Sequence, residues 1–174
     1  AFGMRDSFNN LAAGMWLATL RPFREKEHVE VDGLEGTVES VGMMSTELLK
    51  ADNTYITIPN GLVWGSPIIN YTRMDLRRVD VGVGIAYESD VNKAVNIAMD
   101  FMKNHDLVKE DPEPAVTFSE LGDSSVNITI KAWTDSDNYW ALRNQMTKGI
   151  WQEYNKEGIE IPFPYRTVVY KKDL

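Results

Sequence analysis

Pro22 constrains this chain more than any other residue, because the spacing of apolar side chains changes on crossing it. Proline lacks an N–H and pushes the residue before it out of the helical region, so a helix running into Arg21-Pro22 must stop near Leu20 or Arg21. Residues 7–20 contain no proline and are rich in Leu, Ala and Met, all good helix formers. Phe8, Leu11, Ala12, Met15 and Trp16 form a broad apolar stripe, with Met4 one turn earlier. The other side is mainly small, with Ala13, Gly14, Leu17 and Ala18, and small residues let a neighbour come close. A glycine inside a helix costs roughly 1 kcal/mol relative to Ala, so Gly14 marks a close contact or a bend. Trp16 and Arg21 suit a lipid headgroup boundary, one as an amphipathic ring and the other by snorkelling. The plainer alternative is an amphipathic helix lying on a soluble core.

Beyond Pro22 the period shortens to two. His28–Asp32, Thr37–Val41, Ser45–Lys50 and Tyr55–Ile58 read as strands, punctuated by Gly33, Gly42, a turn at 51–54 and Pro59-Asn-Gly61. Such a run predicts a small barrel or sandwich. A module of that length is marginal alone, so the next domain or oligomerisation is expected to complete it.

Residues 79–165 follow a different plan. Val79, Val81, Val83 and Ile85 line one face of a strand, and Val91–Asn104 reads as a helix with Val91, Val95, Ala98, Phe101 and Met102 on one side. Strands are expected at Ala115–Leu121 and Val126–Trp133. Asp135–Asn138 offers caps for a second helix reaching Lys156, with Gly158 at its C′ position. The order β-α-β-β-α predicts a split βαβ layer with helices on one face. Thr167–Tyr170 reads as a final short strand.

Composition removes several function classes. The 174 residues carry a net charge of −8, opposite to what phosphate-backbone binding requires. There is no cysteine for disulfides, thiolate metal sites or thiol nucleophiles, and two histidines, His28 and His105, do not make a His-rich metal centre. No apolar run reaches 18 residues. With no initiator Met and no signal-peptide n-region, Ala1 reads as the start of a fragment. The triplets at Asn70 and Asn127 read as chance matches to the glycosylation pattern. Asp90, Asp135 and Asp137 stand at helix starts, where a carboxylate satisfies free N–H groups. Glu110, Asp111 and Glu113 belong to a solvated loop, and Ser124-Ser125 lacks a nucleophile-elbow context. Trp133, Trp140 and Trp151 form either a ligand-stacking surface or, more simply, packing contacts. No general acid, nucleophile or metal cage emerges, so an enzyme is not expected, nor is a cofactor.

An ordered set of short motifs then combines. Asn10-Leu-Ala-Ala-Gly14, Arg21-Pro-Phe23, Gly36-Thr-Val38, Ser45-Thr46, Ile58-Pro-Asn-Gly61, Ile69-Asn-Tyr71, Val83–Asp90, Leu121-Gly122, Ser124-Ser125, Trp133 and Ile159–Pro164 occur in sequence. Over nearly its whole length the chain resembles the small-conductance mechanosensitive channel family, from late in the pore-lining helix to the C-terminal strand.

That resemblance implies a membrane α+β protein. Residues 1–22 would be the end of the pore-lining transmembrane helix and the interfacial helix, 23–75 an Sm-like β-barrel domain, 76–165 a ferredoxin-like α/β domain, and 166–174 a strand of a subunit-assembled barrel. It implies a homoheptamer in the cytoplasmic membrane, with both globular domains in the cytoplasm as a cage. Its partners would be membrane lipid, its own copies, and permeating ions and small osmolytes, with no nucleic acid. Tension would open it during hypo-osmotic shock. Phe2 falls at the family's inner hydrophobic constriction. Asp6 stands where the best-known member has Gly at a bend, a departure that puts carboxylates near the pore mouth. Met4 and Phe8 match force-transmitting positions and Gly14 a second flexible point. Asn10 and Asn60 match a pair that would hydrogen-bond between helix and β-domain, and Trp16, Arg21 and Phe23 are expected to anchor at the interface. The alternative is a soluble oligomeric ligand- or RNA-binding module; an oxidoreductase or hydrolase would need a pocket of perturbed titratable groups.

Overall fold

The computed structural model describes residues 2–166 and 168. The chain divides into two compact units, with the boundary between Asp75 and Leu76.

The first unit opens with helix α1 (Phe2–Leu20). It ends one residue before the Arg21-Pro22 pair. Arg21 adopts a left-handed φ of 47° and its N–H bonds to the Leu17 carbonyl at 3.0 Å. Five short strands follow, interrupted once: β1 (His28–Val31), β2 (Leu34–Val41), β3 (Ser45–Leu49), β4 (Tyr55–Pro59), helix α2 (Asn60–Gly65) and β5 (Ile68–Asn70). The β1–β2 hairpin turns on Asp32-Gly33, both with positive φ (52° and 75°), the conformation a two-residue turn needs to match strand twist. All pairings are antiparallel, in the order β4-β3-β2-β1-β5.

The ladder is open. Strands β4 and β5 are its edges, so of the barrel or sandwich expected from the spacing of the strands, a hydrogen-bonded closed barrel is not formed among the described residues. Strand β5 is only three residues long and gives its pairing to β1. Alternation buries Val29, Val31, Val38, Leu48 and Ile58 on one face, joined by Val63 of α2, Leu17 of α1 and Phe23. Pro59 is tolerated because β4 is an edge strand.

The second unit runs β6 (Leu76–Ile85), α3 (Val91–Lys103), β7 (Ala115–Leu121), β8 (Val126–Asp135) and α4 (Tyr139–Glu157). Strand β8 lies between β6 and β7 and is antiparallel to both, so β6 and β7 run parallel with a strand inserted between them, the split arrangement. One face of β8 (Val126, Ile128, Ile130, Ala132) is buried, and the last three join Ala94, Ala98 and Met102 of α3 and Leu142, Met146, Ile150 and Tyr154 of α4 in one core. Asp90 caps α3, accepting the Lys93 N–H at 3.0 Å. No side chain caps α4; its start is prolonged by a single 3₁₀ turn at Ser136–Asn138, which replaces the expected Asp/Asn cap. Gly158, at φ 73°, ends the helix, and the Ile159 N–H reaches back to the Tyr154 carbonyl at 2.9 Å. The final strand expected at Thr167–Tyr170 lies outside the described residues, apart from the isolated Val168.

Candidate functional site

The residues singled out by the sequence cluster on α1 and the segment it rests on, all within the first unit. Helix α1 lies on α2 with its small side inward. Ala13, Gly14 and Leu17 are buried, whereas Met4, Phe8, Met15, Trp16 and Leu20 are 52–69% exposed. The amphipathic pattern of a globular helix is therefore reversed: the large apolar stripe faces outward. Residues 4–9, including Asp6, are exposed throughout. Phe2 is helical, but its side chain lies outside the described residues.

The seat for this helix is built from backbone. Gly14 is packed so closely that a Cβ there would collide with the Met43 carbonyl oxygen and come within 2.6 Å of the Asn60 amide nitrogen. Gly14 is thus a close-approach residue inside a continuous helix, which supplies a packing reason for a glycine there.

Asn10 and Asn60 both take part, without bonding as a side-chain pair. The Asn10 Oδ1 accepts the backbone N–H of Gly61 at 2.8 Å. Asn60 is fully buried; its Nδ2 donates to the Gly42 carbonyl at 2.9 Å and its Oδ1 accepts from the Thr46 hydroxyl at 2.9 Å. The expected amide–amide bond is replaced because the Asn60 side chain points into the β2–β3 turn. Pro59, the residue preceding α2, supplies no side-chain cap, so α1 provides it from 51 residues away. Gly61 is itself fitted to the contact, since a Cβ there would strike the Asn9 amide.

Three more features fix the ends of this arrangement. The Trp16 and Trp64 rings stack, with centroids 6.4 Å apart and planes 20° from parallel. The Arg73 guanidinium donates to the carbonyls of Pro22 and Arg21 at 2.7 and 3.1 Å, holding the turn that ends α1. Arg21 itself is exposed and its Nε donates to the Ala18 carbonyl at 3.2 Å, a cation at a helix C-terminus. Phe23 is only 3% exposed and sits in the β-sheet core, which excludes it as an interface anchor: its ring fills the space between Leu17 and the sheet's buried valines.

Gly61, Trp64, Arg73 and the Met43 carbonyl were not singled out by sequence reasoning. An Asn-Gly pair reads as a turn, and a backbone carbonyl has no sequence signature. The three tryptophans of the second unit share no common surface. Trp133 lies on the sheet face opposite the helices, near the Arg78 guanidinium, while Trp140 and Trp151 project from α4. Among the described residues no cluster of three His, Asp or Glu is placed to hold a metal ion, and no helix is long and apolar enough to cross a membrane.

Comparisons with known proteins address the same elements. Residues 6–73 match the family described as "Mechanosensitive ion channel, beta-domain", and residues 79–161 match "Mechanosensitive ion channel MscS, C-terminal". An MscS family protein of Archaeoglobus fulgidus is 36% identical over 99% of this chain and 61% of its own length. The small-conductance mechanosensitive channel of Edwardsiella ictaluri is 33% identical over 95% of this chain and 58% of its own length. MscMJ of Methanocaldococcus jannaschii is 36% identical over 99% of this chain and 51% of its own length. The chain thus spans between half and about three-fifths of these curated relatives. The crystal structure of Helicobacter pylori MscS in the closed state superposes with a TM-score of 0.92 at 28% identity, covering 99% of this chain and 69% of that one. The matches to both units and the shared fold agree: the chain belongs to the MscS family of mechanosensitive ion channels.

Proposed function

We propose that the full-length protein is a channel opened by membrane tension, releasing ions and small osmolytes on hypo-osmotic shock, and that α1 is its moving gate. The observation that carries this reading is the reversed helix: an outward stripe of Met4, Phe8, Met15, Trp16 and Leu20 is costly in water and suits lipid or a neighbouring copy. Seven copies in the cytoplasmic membrane would bring seven α1 helices around one axis. Phe2 would form the hydrophobic constriction, which gates by dewetting. Asp6, a turn further on, would place carboxylates near the pore mouth and favour cations there. The β-sheet unit and the α/β unit would form the cytoplasmic cage.

Tension biases a channel only through a difference between its states, here the larger in-plane area of the open one. Met4 and Phe8 are the residues through which upstream helices would pull α1. Asn10 ties the same helix to the β-sheet unit, so the pore and its support move as coupled bodies.

The test is patch recording from the full-length protein in liposomes. Unitary currents that appear with suction support the reading, and Phe2→Ser should lower the tension needed or make the channel leak. Correctly inserted protein without tension-evoked current would overturn it and favour a soluble-type binding role for the two units.

A further inference from the structure

The contact at the start of α2 has a counterpart at its end. Asn10 caps the first turn through the Gly61 N–H, and Trp16 stacks on Trp64 in the last. A six-residue helix is too short to hold itself in water. Helix α2 has no side-chain cap of its own, so its order depends on what grips it. Of its two large apolar side chains, neither is core: Leu62 is 47% and Trp64 43% exposed. The core requires only Val63. A tryptophan left half-exposed but laid against another tryptophan makes its ring contact to α1.

We propose that Trp64 is a positioning residue for the gate, and that the Trp16–Trp64 stack is a second latch on α1, distinct from the Asn10 cap. This rests on the reading of α1 as a moving element. The two latches differ in kind. The cap is a single directional bond, lost when the Asn10 oxygen and the Gly61 N–H separate by a fraction of an ångström. The stack is a surface contact that tolerates sliding, because offset aromatic pairs keep much of their attraction over a range of displacements. Helix α1 is undocked only when both are lost, so the Gly61 N–H is freed to solvent when the stack no longer holds α1 on its seat. Removing the stack raises the population of undocked α1 by roughly 2- to 12-fold.

The Gly61 amide reports the docking directly, since its partner lies on α1. Hydrogen exchange of the segment containing Gly61, measured on the full-length protein in nanodiscs, should speed by that factor in Trp64→Ala and equally in Trp16→Ala. The double variant should exceed neither single one. Trp64→Phe, which keeps a ring, should return exchange close to the parent value. The amides of β3 should not change in any of them. Unchanged exchange at Gly61 in Trp64→Ala overturns the latch; so does parallel acceleration in β3, which would mark general loosening, or failure of Phe to restore protection. The reading as a channel is judged separately: shifted exchange without tension-evoked current keeps the latch and removes the channel, whereas normal current with unshifted exchange removes only the latch.

Discussion

The side-chain oxygen of Asn10 accepts the backbone N–H of Gly61 at 2.8 Å, so one helix caps another across 51 residues of sequence. A cap of this type contributes about 1 kcal/mol. Asn10→Ala should shift the docking of α1 on α2 by roughly 5-fold. In patch recordings this appears as altered closing or inactivation under sustained tension. Asn10→Asp retains an acceptor oxygen and should stay near the parent. Equal kinetics in Ala and parent would remove the coupling role.

Gly14 sets two opposing effects against each other. Alanine is the better helix former by about 1 kcal/mol. Its Cβ, however, would run into the Met43 carbonyl, which belongs to backbone and cannot rotate away. Overpacking of this sort costs about 1–3 kcal/mol, so the clash prevails. Gly14→Ala should loosen α1 from its seat and lower the thermal midpoint of the first unit. Gly65→Ala, where a Cβ meets nothing within 4 Å, is the matched control and should be neutral.

Phe8 separates stability from gating. Its ring is 66% exposed, so Phe8→Ser should change the stability of the first unit by less than about 0.5 kcal/mol. If the ring lies on the path by which upstream helices pull α1, the same substitution raises the tension needed to open. A denaturant melt and a tension–response curve on the same variant check both halves.

The second unit has its own signature at high pH. The Tyr154 hydroxyl is buried and donates to the Ala94 carbonyl at 3.0 Å; loss of water around it pushes its pKa up to about 12. In the unfolded chain the phenol titrates near 10. Between those values the unfolded state has released the proton and the folded state holds it, so stability falls as pH rises across that window and levels off above it. The fall attributable to this group is on the order of 2–3 kcal/mol. Tyr154→Phe should flatten that decline while costing about 1 kcal/mol at neutral pH for the lost hydrogen bond. Urea melts at pH 8, 10 and 11.5 on both forms distinguish the two effects.

Much of the fold was legible where one face of an element is buried. The alternation in His28–Asp32, and the helical spacing of Leu142, Met146, Ile150 and Tyr154, register that burial directly, whereas Thr37–Val41 is interrupted by a bulge after Val38. Helix α2 was not legible. Asn60-Gly61 is a turn signal, Gly65 adds a second poor helix former, and the bonds that order the segment come from Met44 and Asn10, far away in sequence. Strand β5, at three residues, is too short to show a period. In the site, Gly14 stood out as a glycine inside a helix, and Asn10 and Asn60 only through the family resemblance. Their partners did not, because three of them, at Gly61, Met43 and Gly42, are backbone groups identical in every residue. Phe23 shows the opposite failure: an aromatic next to Arg21-Pro22 resembles an interfacial anchor until its burial is seen.

The reversed packing of α1 has a mechanical consequence. A helix seated by Ala13, Gly14 and Leu17 can lie almost in contact with the backbone beneath it, and of these three only Leu17 joins the core of the sheet. Proximity and adhesion, which usually rise together in a packed core, are here uncoupled. The fit is tight, while much of the holding is left to a few separate catches: the Asn10 cap, the Leu17 side chain and the Trp16–Trp64 stack.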